Sequence, residues 1–154
     1  MDVEGVLERN LAFLRWLTER LVEAGTPSRQ RQFLREYGRA LDRHLGAIEQ
    51  VVVPALEQRG VGHDLLAALA ARESLCPGLA DAMACAAEPS AASVPLGALV
   101  ADATERLQRQ AAALIPLVRE RLGADEVFAL GRRLHDHLGA ATADPAPAAR
   151  ASTG

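Results

Sequence analysis

Five polar side chains in this chain are of the types that carry chemistry inside a protein: Asn10, His44, His63, Arg106 and Gln110. Each lies among apolar residues at the three- and four-residue spacing of one helix face, as Leu41 and Ile48 do around His44. A neutral imidazole can transfer a proton near pH 7, and an arginine can hold an anion. The spacing therefore predicts one polar cluster in the interior, formed by side chains from four helices.

A buried polar group without a partner costs about 2–7 kcal/mol, so these side chains must bond to one another, to water or to a ligand. Three interpretations follow. In the first, the cluster binds a small polar or anionic molecule that Arg106 holds. In the second, the cluster is purely structural and Arg106 pairs with Asp102. In the third, His44 and His63 hold a single metal ion, or one of them a haem, although two imidazoles alone make a weak site.

Helices must position these residues, because apolar residues recur at helical spacing and alternating strand patterns are absent. Long amphipathic segments joined by short turns predict an all-α antiparallel four-helix bundle. Phe13, Trp16 and Tyr37 fit the apolar stripes and are expected in the core. The first predicted helix runs from Val3 to about Ala24, and the second is capped by Ser28 and reaches about Gln58, with a kink expected at Pro54. A third helix begins at His63, and a further helical piece runs from Leu79 to Ala87. The fourth helix is capped by Ser93 and runs from about Val94 to Leu122, and a short fifth helix runs from about Asp125 to Ala140.

A chain of 154 residues is large enough for one domain with its own core, expected over residues 1–141 with a disordered tail at 142–154. The formal net charge of -3 predicts no binding to nucleic acid or to an anionic membrane. No signal peptide or membrane span is recognisable, so a cytoplasmic location is expected. All 17 basic residues are arginines, which with the many alanines suggests a bacterial gene rich in G and C. Cys76 and Cys85 are expected to be reduced, structural thiols.

Three segments also resemble a known family. The stretch from Phe33 to Leu56 carries His44 and a Pro54-Ala-Leu56 ending, the stretch from Arg106 to Leu122 carries Pro116 in a matching frame, and a closing helix follows Gly123. This frame resembles the hemerythrin-like (HHE cation-binding) domain family. The resemblance implies an antiparallel four-helix bundle with a short fifth helix and a core di-iron centre.

The ligand set that the resemblance implies is mostly missing. The family places a His on the first helix, a His and a Glu on the second, a His on the third, and a His and a Glu on the fourth. His44 and His63 fall at two of the four His positions, but Asn10, Ile48, Arg106 and Gln110 replace the other ligands. An arginine has no lone pair to offer a metal and repels a cation. We therefore expect a degenerate member with no di-iron centre and no cofactor.

The leading hypothesis is a metal-free bundle that binds a small polar or anionic molecule in the former metal cavity. If it is an enzyme, His44 and His63 are the candidate acid and base in non-redox chemistry, whereas Arg106, Asn10 and Gln110 bind the ligand. The alternative is a non-catalytic accessory or regulatory bundle with a purely structural polar core. A second alternative is mononuclear metal or haem binding through His44 and His63.

Overall fold

The structure, a computed structural model, describes residues 1–71, 75–86 and 96–140 of the chain. All of the regular structure within those ranges is helical, which confirms the all-α prediction. No helix among these described residues is long and apolar enough to cross a membrane. The predicted tail at 142–154 and the predicted cap Ser93 lie outside the described residues.

Side-chain caps set the beginnings of the first two helices. Helix α1, Val3–Glu23, is capped by the carboxylate of Asp2. Helix α2, Pro27–Ala47, is capped by Thr26, whose hydroxyl accepts a backbone N–H at 3.3 Å. A proline occupies the first turn of α2, where its missing N–H costs nothing. The cap is therefore Thr26 and not the predicted Ser28.

The second helix widens into a π-helical turn at Ile48–Val52 before it continues as α3, Val53–Glu57. Pro54 explains the change, because a proline has no N–H to donate and its ring clashes with the carbonyl four residues earlier in a regular helix. In the wider turn, the N–H of Val53 donates to the carbonyl of Ile48, five residues back. The proline thus distorts the helix at its N-terminal side rather than ending it.

Helix α3 ends in a turn that only glycine adopts readily. Gly60 has a φ of 82°, in the left-handed region. The backbone N–H groups of Gly60 and Val61 donate to the carbonyls of Glu57 and Leu56, which satisfies the end of the helix. Val61 is buried, so the turn also anchors the chain just before α4, His63–Ala70.

Three more helices follow: α5, Leu79–Ala86, α6, Leu96–Arg121, and α7, Ala124–Ala140. Helix α6 stays helical through Pro116, in agreement with the predicted fourth helix. Helix α7 is the predicted fifth helix, and its residue range agrees to within about a residue.

Helix α1 packs on three other helices, α2, α6 and α7. Helices α1 and α6 run antiparallel, because Glu4 near the start of α1 pairs with Arg119 near the end of α6. Helices α1 and α2 are also antiparallel, because Asn10 contacts His44 near the end of α2. Helix α4 packs on α3 and α6, and α5 packs on α6. The described helices therefore form a bundle.

Helix α7 crosses the beginning of α1 at close backbone contact. A Cβ atom added at Gly131 would lie 2.5 Å from the carbonyl oxygen of Met1 and 2.7 Å from the carbonyl carbon of Asp2. These are backbone atoms that cannot rotate away, so only a glycine allows this approach. Gly131 thereby fixes how α7 covers α1.

The core is built mainly from leucines of α1, α2, α6 and α7. Tyr37 is fully buried, as predicted, but the predicted burial of Phe13 and Trp16 is wrong, since they are 42% and 47% exposed. The buried stripe of α1 passes through Leu14 and Leu17. Each of the two aromatic residues precedes one of these leucines, which turns it about 100° away from the core.

Candidate functional site

Asn10 and His44 meet where α1 packs on α2. The amide Nδ2 of Asn10 lies 2.7 Å from Nδ1 of the His44 ring, which is 1% exposed. Because an amide nitrogen donates and does not accept, Nδ1 is the acceptor and the ring proton lies on Nε2. The contact thus fixes one neutral tautomer of His44.

The His44 ring is neutral, and only one of its two nitrogens has a hydrogen-bond partner among the described residues. Burial lowers its pKa from 6.5 to about 4. Its Nε2 atom has no hydrogen-bond partner among the described residues. A general acid or base works best when its pKa lies near the working pH, so this environment suits a structural imidazole better than a catalytic one at pH 7.

Gln110 also reaches the interior, where it is 3% exposed. Its Nε2 donates to the carbonyl oxygen of Leu69 at 3.0 Å, in the last turn of α4. The last carbonyls of a helix have no partner within the helix, so this bond satisfies one of them. Gln110 therefore ties α6 to α4, while its Oε1 has no partner among the described residues.

His63 lies at the surface, so its predicted place in the interior is wrong. It is the first residue of α4, and 80% of its side chain is exposed. Its Nδ1 lies 2.8 Å from Oε1 of Glu57, and the hydrogen bond to this carboxylate holds the pKa of His63 above its usual value. Helix α4 instead buries Leu66, three residues later.

Arg106 is also at the surface, with 41% of its side chain exposed. Its Nε donates to Oδ2 of Asp102 at 2.8 Å, so the predicted pairing is confirmed but the predicted interior position is wrong. The buried stripe of α6 passes through Val100 and Leu107, whereas the prediction followed a stripe through Leu99. One residue turns a helix by about 100°, which is enough to bring the arginine out of the core.

A second polar cluster lies in the core, and the sequence analysis missed it. The hydroxyl of Tyr37 on α2 lies 2.7 Å from that of Thr104 on α6 and 3.3 Å from the carbonyl oxygen of Val100. The Thr104 hydroxyl also donates to Val100 at 2.9 Å, and it lies 3.2 Å from the hydroxyl of Thr18 on α1. Thr18 in turn donates to the carbonyl of Leu14 at 3.0 Å. This hydroxyl network joins three helices.

Burial raises the pKa of Tyr37 to about 12, although the hydrogen bond with Thr104 opposes that effect. The phenol therefore stays protonated at every physiological pH and acts as a hydrogen-bonding group of the fold. A signal for the network was present in the sequence, because Thr104 lies four residues after Val100 and three before Leu107, on the true apolar stripe.

A groove of about 330 Å³ separates α1 from α7. Its lining includes Asn10, Arg9 and Phe13 of α1 and His135 of α7. The groove therefore reaches the residue that holds the buried His44 ring, and it carries a cationic side chain beside an apolar one.

A second groove, of about 440 Å³, lies between α2 and α5. Arg35 and Arg39 border it, and Cys76 contributes a buried thiol that is not part of a disulfide. The side chain of Cys85 lies outside what the structure describes, so the expectation for the two cysteines stays a prediction. None of the five predicted site residues lines this groove.

The donor set does not fit the di-iron centre that the resemblance implies. Ile48 is buried where a Glu would be needed, and Arg106 and His63 point away from the core. Within the described ranges, no group of three or more His, Cys, Asp or Glu side chains could hold a metal ion. A shared metal on His44 and His63 is likewise not supported, since one ring is buried and the other exposed.

Comparisons of the chain with protein families, curated proteins and solved structures find no match. The resemblance to hemerythrin-like domains therefore stays a prediction, and the function must be argued from the geometry.

Proposed function

We propose that this chain is a non-catalytic accessory or regulatory bundle that acts through its surface, with polar core residues that serve the fold. An exposed aromatic pair on α1 carries the proposal. The rings of Phe13 and Trp16 stack with centroids 5.9 Å apart and an interplanar angle of 16°. Stacked aromatic side chains that remain exposed in the free protein are characteristic of protein-binding surfaces.

The placement of the aromatic residues in the whole chain supports this argument. The chain has only one Trp, one Tyr and three Phe residues. Three of these five side chains, Phe13, Trp16 and Phe128, are exposed, although a core would gain more from burying them. Most of the few aromatic side chains of this chain are therefore exposed, and contacts of the protein surface with a partner best explain this placement.

The polar residues of the core support the non-catalytic part of the proposal. His44 is the buried imidazole, and its low pKa keeps it neutral. His63 and Arg106 each pair with a carboxylate at the surface. The candidate acid, base and anion-binding groups thus do not surround one reacting atom, which acid–base catalysis requires.

We also propose that the bundle is a metal-free, hemerythrin-like one. The contact between Asn10 and His44 supports this, because the resemblance implies that these two positions of the first and second helices face each other in the core. The π-helical turn just before Pro54 supports it too, because such turns commonly occur beside present or former functional sites.

Site-specific photo-crosslinking in the cells that naturally make the chain tests the surface proposal. A photoreactive residue in place of Trp16 should give a covalent adduct with a protein on illumination. The same residue in place of Leu65, an exposed apolar position on α4, is the matched control and should give less adduct. An adduct yield at position 16 no higher than at position 65 would contradict the proposal.

A second candidate function is the binding of a small anion with an apolar part in the groove between α1 and α7. The observation that favours it is the lining, where Arg9 and Phe13 lie beside Asn10. Benzoate is a suitable probe, and NMR titration of the full chain should show shifts at these residues. Arg9→Leu should abolish these chemical-shift changes. If the variant binds benzoate with the same saturation curve as the parent chain, the groove is not the binding site.

A further inference from the structure

The outer face of α1 carries a charge pattern that is centred on its tryptophan. Arg9, Trp16 and Glu23 are seven residues apart, and all three are exposed. Seven residues make almost two full helical turns, so the three side chains lie on one stripe. The positive and the negative charge lie at equal distances from Trp16, about 10 Å along the axis in either direction.

This arrangement is complementary to itself. When two copies of α1 pack antiparallel about a two-fold axis at Trp16, residue 9 of each copy comes opposite residue 23 of the other. The axis therefore brings Arg9 of one copy to Glu23 of the other twice, while the two indoles meet in the middle. A parallel arrangement would instead oppose Arg9 to Arg9 and Glu23 to Glu23, so the charges select the antiparallel one.

The neighbouring positions agree with the same arrangement. Ala12 and Phe13 lie on the N-terminal side of Trp16, whereas Glu19 and Arg20 lie on its C-terminal side. Antiparallel packing therefore sets small or apolar side chains against the stems of charged ones and opposes no like charges.

The tryptophan is also held in place before any partner binds. The guanidinium of Arg20 lies over the indole at 5.9 Å from its centroid, and Arg20 pairs with Glu23 at 3.1 Å. Phe13 also stacks on the indole ring. A preorganised aromatic side chain loses little entropy on binding, which favours its use as the central anchor of an interface.

We propose that the outer face of α1 is a homodimer interface, in which two copies of this chain pack antiparallel about Trp16 with reciprocal Arg9–Glu23 ion pairs. This inference rests on the proposed surface function and names its partner as a second copy of the chain. One helix face buries less than the roughly 800 Å² per partner of a standard interface, so the dimer dissociates on dilution.

Sedimentation velocity of the full chain, from low to high micromolar concentration, measures this equilibrium. Trp16 is the only tryptophan, so its emission reports on the interface directly. We expect the sedimentation coefficient to rise with concentration, together with a blue shift of the emission as the indole becomes buried. Trp16→Ala should weaken the dimer by about 30-fold or more, as expected for a central anchor.

A charge exchange tests the register. Arg9→Glu and Glu23→Arg should each weaken the dimer by about tenfold, because each turns two attractive contacts into two repulsive ones. The double variant Arg9→Glu/Glu23→Arg restores both contacts with reversed sign and should recover most of the parent affinity. Arg15→Glu makes the same change on a different face of α1 and should leave the affinity unchanged. Circular dichroism confirms that each variant is folded.

Several outcomes would overturn the inference. These are a monomer at all concentrations, a dimer that Trp16→Ala does not weaken, or a double variant no tighter than the single ones. A monomer whose emission is already blue-shifted would mean that another part of the same chain covers the indole. Crosslinking at position 16 separates the two proposals, since an adduct with a different protein rejects the homodimer but keeps the surface function, whereas the absence of an adduct rejects both.

Discussion

The core of this bundle contains two polar groups that are satisfied to different degrees. In the hydroxyl network, Tyr37, Thr104 and Thr18 bond to one another and to backbone carbonyls of two helices. In the other group, Asn10 and His44 share a single bond, and Nε2 of the ring has no partner among the described residues. The network therefore stabilises the packing of α1, α2 and α6, whereas the Asn10–His44 pair carries a desolvation cost that it offsets only in part.

The difference shows which polar positions the fold depends on. Ile48, one turn after His44, is apolar and buried, so it offers the ring no hydrogen bond. In the hydroxyl network, by contrast, each hydroxyl proton has an acceptor within the protein. Neither group looks like an assembled catalytic site, and four measurements test the contrast between them.

The largest effect is expected for Ile48→Glu. Ile48 is 1% exposed and lies one turn after His44, so the variant buries a carboxylate where no metal ion accepts it. The free energy of unfolding should fall by about 3 kcal/mol or more. Gln50→Glu is the matched control, because it adds the same carboxylate at an exposed position of the π-helical turn. If chemical denaturation finds the two variants equally stable, His44 does not lie in the closed core described above.

The second prediction concerns pH. The pKa of His44 is about 4 in the folded chain and 6.5 when exposed, so between these values the unfolded chain holds a proton that the folded chain does not. The contribution of the neutral His44 ring to the free energy of unfolding is therefore fully present above pH 6.5. It is lost as the pH falls towards 4, by about 3 kcal/mol in all.

The variant His44→Leu isolates this contribution from that of the carboxylates. Its loss of stability on acidification should be smaller than that of the parent chain over the same range. His135→Leu removes an exposed imidazole instead and is the control for the substitution itself. Parallel curves for the parent and His44→Leu in urea denaturation at several pH values would show that His44 is solvated.

The third prediction compares the two polar groups directly. Asn10→Leu leaves both nitrogens of His44 without a described partner and should cost about 1–3 kcal/mol, but the double variant Asn10→Leu/His44→Leu should cost less than Asn10→Leu alone. Tyr37→Phe should also cost about 1–2 kcal/mol. Adding Thr104→Val to it should increase the cost, because the hydroxyl of Thr18 then loses a partner. Two double-mutant cycles, measured by chemical denaturation, give the coupling energy within each pair of residues. Coupling energies of the same sign and size in both pairs would show that the two polar groups do not differ.

The sequence predicted the helices well because their apolar spacing is repeated over many turns. It predicted single side chains less well, because one residue changes the direction by about 100° and an apolar stripe has wide edges. His44 and Gln110 fell inside the true stripes and Asn10 at the edge of one, whereas Trp16 and Arg106 fell outside. The hydroxyl network could not be predicted in full, since a Tyr–Thr contact between helices depends on tertiary packing.

The smallest effect is expected at Arg106, which the sequence predicts to be a ligand-binding residue of the core. Its bond to Asp102 is an exposed pair four residues apart on one helix, a type that contributes about 0.3–0.5 kcal/mol. Because surface ion pairs contribute little, Arg106→Leu should lower the free energy of unfolding by about 1 kcal/mol or less. Arg109→Leu is the matched control on the same helix, because Arg109 forms the same kind of exposed pair with Glu105. A buried arginine that pairs with a core carboxylate would cost about 3–5 kcal/mol when removed. If Arg106→Leu unfolds at a much lower denaturant concentration than Arg109→Leu, Arg106 belongs to the polar core. The group around Asn10 and His44 would then contain a charged side chain.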